Sequence, residues 1–146
     1  MSGVVVVDAS VALKWFLAES PRSSQEADVD AALVVFERIV LGQLQWAQPP
    51  HFVAEVAAVL ARLKPLAALD DVADLQAVPC KIVQSAAVLA RAVQLAVSLE
   101  HHVFDTLYHA VALATPGATL VTADRKYFAK AQHLGRIAWL ADFQVA

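Results

Sequence analysis

The sequence predicts one α/β domain with a mostly parallel central sheet of four to five short strands flanked by helices. Three observations carry this. Short β-branched or apolar stretches alternate with longer amphipathic ones, the pattern of βα units. Val4–Val7 is a run of four valines, which suits a strand buried on both faces. The chain has 146 residues and no linker, low-complexity tract or internal repeat, so residues 1–146 form a single unit.

The elements follow in order. After Val4–Val7, Ser10 is placed to cap a short helix over about Val11–Glu19, which stops ahead of Ser20-Pro21. A second helix is expected over about Ser24–Leu41, ended by Gly42, and then a weak strand over Gln43–Ala47. Pro49-Pro50 opens a helix over about His51–Lys64, with proline at the tolerated first turn, and Pro65 ends it. Leu69–Ala77 reads as a short helix and Lys81–Val83 as a short strand. Ser85–Leu99 carries apolar residues at helical spacing: Val88, Leu89, Ala92, Val93, Ala96 and Leu99. Phe104–Ala114 is the next helix. Pro116-Gly117 turns the chain into a strand at Ala118–Thr122. Arg125–His133 is a helix and Ile137–Leu140 a last short strand.

Composition narrows the class. The chain is 59% hydrophobic and 17% charged, so it has apolar surface enough for a core and some left for a protein partner. No apolar run reaches the roughly 18 residues of a membrane span. The start, M-S-G-V-V-V-V-D, lacks the basic region of a signal peptide. Cys80 is the single cysteine, which leaves no internal disulfide and no cysteine-based zinc site. It follows Pro79 without a His-Asn context and reads as an inert thiol. A reducing, cytoplasmic setting is expected. The net charge of −3 weighs mildly against binding a phosphate backbone.

Four acids stand in apolar or small-residue surroundings: Asp8 in V-V-V-V-D-A-S, Glu55 in F-V-A-E-V-A-A-V-L, Asp105 in V-F-D-T-L-Y and Asp124 in L-V-T-A-D-R. Stripping water from a carboxylate costs several kcal/mol unless something compensates, and a cation or a proton does so. Asp8 and Asp124 each lie just past an expected strand. In open α/β sheets, ligands bind beyond the carboxyl ends of the strands, so these two are expected to face one crevice. Glu55 and Asp105 fall near helix N-termini at the edge of apolar stripes. Helix-dipole and capping roles explain them as readily as a shared site. Magnesium and manganese want hard oxygen ligands and can activate a water against a phosphodiester. Ser10 and Thr122 lie two residues from Asp8 and Asp124, and either hydroxyl suits a metal water or a phosphate; Ser10 serves equally as a helix cap.

Other candidates carry less. His51, His101 and His102 lack zinc spacing and read as loop or helix-edge residues. Four glycines give no phosphate-cradling loop, and no G-x-S-x-G elbow is present. Arg62, Lys64, Arg125 and Lys126 could line a phosphate-contacting rim or be solvated surface. Trp15, Phe16 and Trp46 read as core or dimer interface.

Four segments together resemble a known family. They are D-A-S-V-A-L-K-W-F-L-A-E from Asp8, P-P-H-F-V-A-E ending at Glu55, F-D-T-L-Y-H-A-V-A-L-A from Phe104, and V-T-A-D-R-K-Y-F from Val121. In order and spacing they resemble the PIN domain, and more narrowly the VapC-type toxins of toxin–antitoxin pairs. The closing A-W-L-A-D-F is similar to how these toxins end. The resemblance implies an endoribonuclease dependent on Mg2+ or Mn2+, held inactive by a cognate antitoxin protein, and commonly a homodimer. It implies that Asp8, Glu55, Asp105 and Asp124 are the catalytic, metal-binding acids, supported by Ser10 and Thr122. RNA is then the substrate, cut by a metal-activated water that leaves a 5′-phosphate and a 3′-hydroxyl. Thr106 departs from the pattern, because such toxins usually carry a small apolar residue there. The alternatives are a non-catalytic PIN-like module that binds RNA or protein, a DNA-directed nuclease of the same fold, and a magnesium phosphatase using Asp8 as nucleophile. The last usually needs a second acid where this chain has Ser10.

Overall fold

A computed structural model of the chain describes residues 3–17 and 28–143. Five strands form one sheet in the order β3-β2-β1-β4-β5, and every pair is parallel. They are β1 (Val4–Val7), β2 (Gln45–Gln48), β3 (Lys81–Ile82), β4 (Ala118–Thr122) and β5 (Ile137–Trp139). Among the described residues the helices are α1 (Ala9–Leu17), α2 (Val29–Val40), α3 (Phe52–Leu63), α4 (Ala68–Ala77), α5 (Ala86–Leu99), α6 (Val103–Ala114) and α7 (Arg125–Ala131). None is long and apolar enough to cross a membrane.

Because parallel strands need crossovers, helices cover the sheet and its central strands must be apolar on both faces. Val5, Val6, Val7, Leu120 and Val121 are all fully buried. β1 lies in register with β4, Val7 opposite Val121. The chain runs outward from β1 to β2 and β3 on one side, then to β4 and β5 on the other. The order reverses between β1 and β4, and the crevice beyond such a reversal is where this sheet type binds ligands.

Rings stitch the helical layer together. Trp15 packs on Phe36 and Trp46, Trp46 on Phe52, and Phe52 on Tyr108, with centroids 4.8–6.3 Å apart. Trp15 and Trp46 are thus core residues, and Phe16 packs against the same cluster.

Several boundaries differ from the sequence expectation. The first helix begins at Ala9, not Val11, which draws Ser10 into its first turn. Asp8 takes the capping position, accepting the Ser10 N–H at Oδ2 (3.0 Å). The ends expected at Glu19 and Ser20-Pro21, and the start expected at Ser24, lie outside the described residues. α2 begins at Val29, after Asp28 in the left-handed region (φ 63°). The second strand sits one to two residues later than expected. The helix expected to His133 ends at Ala131 and tightens into a 3-10 turn at Gln132–Leu134 before Gly135 (φ 76°).

Candidate active site

Asp8 is the first residue past β1, and its N–H still bonds Val121 O (3.0 Å), so the β1–β4 ladder delivers it to the sheet edge. It is buried. The Ser10 hydroxyl donates to Asp8 Oδ2 and accepts the Ala123 N–H (3.0 Å), tying the end of β1 to the loop after β4. Ser10 is therefore a brace for the carboxylate, and the capping alternative falls to Asp8 itself.

Asp124 follows β4 and caps α7, its Oδ1 accepting the Tyr127 N–H (3.1 Å). Thr122 is fully buried, and its Oγ1 accepts the Asp124 N–H (3.0 Å). That hydroxyl helps set the Asp124 backbone. Asp105 stands in the first turn of α6, with Oδ2 2.9 Å from His101 Nε2. Glu55 stands in the first turn of α3. Its Oε1 accepts the Tyr108 hydroxyl at 2.5 Å and lies 3.2 Å from His51 Nε2. His51 Nε2 is also 2.8 Å from Phe104 O, so that nitrogen carries a proton.

The four acids share one field. Burial pushes the Asp8 carboxyl up to about 7; the two Ser10 bonds oppose this, and Asp105 and Asp124 add repulsion. Burial also raises Asp105, His101 counters it, and Asp124 and Glu55 raise it further. Burial and then the Glu55 bond keep Tyr108 protonated far above the ordinary phenol range, with Asp8 and Asp105 contributing. Tyr127 is raised by burial and by the charges of Asp8, Asp105 and Asp124.

The donor set fits a hard divalent cation. Ligand-type atoms of His101, Asp105 and Asp124 all lie within 4.8 Å of one another. Carboxylate oxygens with at most one imidazole suit magnesium or manganese. Asp8 and Glu55 interact with this group through charge but fall outside its 4.8 Å span.

The four cations named for a phosphate rim have different neighbours. Arg125 lies over the Trp139 ring, 4.8 Å from its centre. Lys64 is held by Phe16 O (2.7 Å) and Asp71 (2.8 Å). Arg62 is exposed in the last turn of α3, seven residues or about 10 Å along the helix from Glu55. Lys126 is exposed and lines a groove of about 470 Å³ with Glu100, His101, His102 and Lys130. Of the four, it is the one that shares a groove with the acid cluster's neighbour His101.

His101 and Tyr108 are the residues that sequence reasoning passed over. His101 is four residues before Asp105, just ahead of the helix that carries it, and that short spacing was the available signal. Tyr108 is three after Asp105 and reached Glu55 only through the packing of α3 on α6. Thr106 lies away from the cleft: its hydroxyl donates to Ala92 O (2.7 Å), pinning α6 to α5.

One family's sequence profile, the PIN domain, matches residues 5–134. No curated protein matches the chain.

Proposed function

The chain belongs to the PIN domain family, a fold that generally carries metal-dependent nucleases, and from that premise we propose that it is an Mg2+- or Mn2+-dependent endoribonuclease, the toxin of a type II toxin–antitoxin pair. The observation that supports this is that Asp105 and Asp124 come within coordination reach of each other while Asp8, at the end of β1, feels the charge of both.

Asp105 and Asp124 would hold the cation, with Asp8 beside them and Glu55 at the edge. When bound, the ion supplies a Lewis acid that activates water and offsets charge on the phosphodiester. The protein's own groups do the positioning. Ser10 and the Asp124 cap fix two carboxylates at the strand ends. Tyr108 and His51 hold Glu55 against the helix. Asp8, braced through its Oδ2 by the Ser10 N–H and hydroxyl, would stand beside the cation as a further oxygen donor. Attack by water leaves a 5′-phosphate and a 3′-hydroxyl.

The same proposal supplies the partners: a cognate antitoxin protein and a second copy of the chain. Apolar side chains left exposed on α5 (Leu89, Val93, Val97) and α2 (Val34, Val40) are surfaces that such partners would cover.

The test is cleavage of RNA by purified protein with Mg2+, repeated with EDTA, with Asp8→Asn and with a DNA substrate. Cleavage lost in both controls, with 5′-phosphate ends, supports the proposal. Cleavage unchanged by EDTA or by Asp8→Asn, or a cyclic phosphate end, overturns it. RNA binding without cleavage would identify a binding module, and cleavage of DNA alone a DNA nuclease.

A further inference from the structure

His101 sits beside the acid cluster, close enough to be counted among cation ligands, but its hydrogen bonds assign it another role. Lys130 Nζ lies 2.8 Å from Glu100 O and 3.2 Å from His101 Nδ1. An ammonium group has three donors and no acceptor, so His101 Nδ1 must be a bare, accepting nitrogen. The ring proton then resides on Nε2, the atom 2.9 Å from Asp105 Oδ2. Nε2–H donates to the carboxylate and has no lone pair for a metal.

The surroundings hold this arrangement. The His101 side chain is 8% exposed. Its ring meets Tyr127 edge-on at 5.0 Å. Tyr127 Oη is itself fixed 2.8 Å from His109 Nδ1, and His109 Nε2 lies 2.8 Å from Gly135 O. Glu100 caps α5 in the left-handed conformation (φ 52°), which turns the chain so that His101 faces α6 and presents the Glu100 carbonyl to Lys130. Ligation by Nε2 would require the proton to move to Nδ1, donor against donor with Lys130.

We infer that His101 is a positioning residue, locked by Lys130 in the Nε2–H tautomer so that it orients the Asp105 carboxylate, and is not a cation ligand. Its role in catalysis rests on the nuclease proposal; its tautomer does not. Hydrogen bonds to ligating carboxylates typically govern 10–100-fold in affinity or activity.

Two-bond 1H–15N correlation of histidine-labelled protein, without RNA, reads the tautomer directly. The expected result is His101 with Nε2 protonated and Nδ1 bare, unchanged at saturating Mg2+, and loss of that preference in Lys130→Met. An Nδ1–H form, or loss of the Nε2 proton on adding Mg2+, overturns the inference. With RNA as substrate, His101→Leu is expected to lower kcat about 10–100-fold with KM changed less than about threefold. His101→Gln, whose amide N–H can replace the donor, recovers most of that loss. Equal losses in both variants count against positioning. If the wild type cleaves no RNA, the nuclease proposal fails while the tautomer result stands or falls by itself.

Discussion

Gln48 holds Val7 by both of its backbone groups. The Val7 N–H donates to Gln48 Oε1 (2.6 Å) and Gln48 Nε2 donates to Val7 O (2.8 Å). The β1–β2 register covers Val4 and Val5, so this side chain stands in for a further rung, one residue before Asp8. Gln48 is fully buried. Gln48→Leu keeps the volume but leaves two buried backbone groups unpaired, at about 1–3 kcal/mol each. The expected loss of stability is about 2–6 kcal/mol by urea unfolding. A loss below about 0.5 kcal/mol would show that β1 ends without this support.

Asp8 makes metal-free stability depend on pH. Its carboxyl titrates near 3.8 when unfolded and about 7 when folded. The folded state therefore keeps a proton that the unfolded chain has released, and ∂ΔG/∂pH is negative between the two values. The Asp8 contribution is complete below about pH 3.8 and is lost as pH rises through about 7. The shift corresponds to at most about 4 kcal/mol. Asp105 is shifted in the same direction. Unfolding midpoints measured from pH 4.5 to 8 should fall less steeply in Asp8→Asn than in wild type, and added Mg2+ should flatten the wild-type slope. An identical slope in Asp8→Asn would contradict the placement of this charge.

Much of the fold was legible because it rests on local pattern. Four consecutive valines, the Pro116-Gly117 turn and the alternation of apolar runs led to the strands and helices found. Strand-end logic placed Asp8 and Asp124 beside one another because β1 and β4 are parallel neighbours in register. What the sequence hid is what long-range packing decides. Nothing local tells that Tyr108 reaches Glu55, 53 residues away, or that Gln48 reaches Val7, 41 away. Ser10 looked like a cap because its type suits one. The structure moved that job to Asp8, since the helix starts at once after the strand. Nor does local pattern tell that Arg125 lies over the Trp139 ring or that Lys64 pairs with Asp71, partners that only tertiary packing supplies.

Thr106 joins two helices rather than tuning the site. Its hydroxyl donates to Ala92 O at 2.7 Å and lies 3.2 Å from Val103 O. Thr106→Val keeps the shape and removes the donor, so the expected cost is about 1 kcal/mol in unfolding free energy. Cation affinity should remain within about twofold. A tenfold change in affinity with unaltered stability would return Thr106 to the cleft.

Cys80 should be chemically quiet. Partial burial pushes its thiol up to about 12, and its Sγ makes a long contact with Lys81 O (3.7 Å). The thiolate is the reactive form. Alkylation by iodoacetamide at pH 8 should run at least about 100-fold slower than for free cysteine, and Cys80→Ser should cleave RNA like wild type. Rapid labelling of folded protein would refute this.

The convergence of strand-end acids on a divalent cation is tested most directly by Mn2+ titration of metal-free protein, read by the paramagnetic resonance of free ion. Wild-type protein is expected to bind, and Asp105→Asn and Asp124→Asn, both folded by circular dichroism, to bind at least about tenfold more weakly. No binding by folded wild type, or one affinity shared by all three proteins, would contradict it.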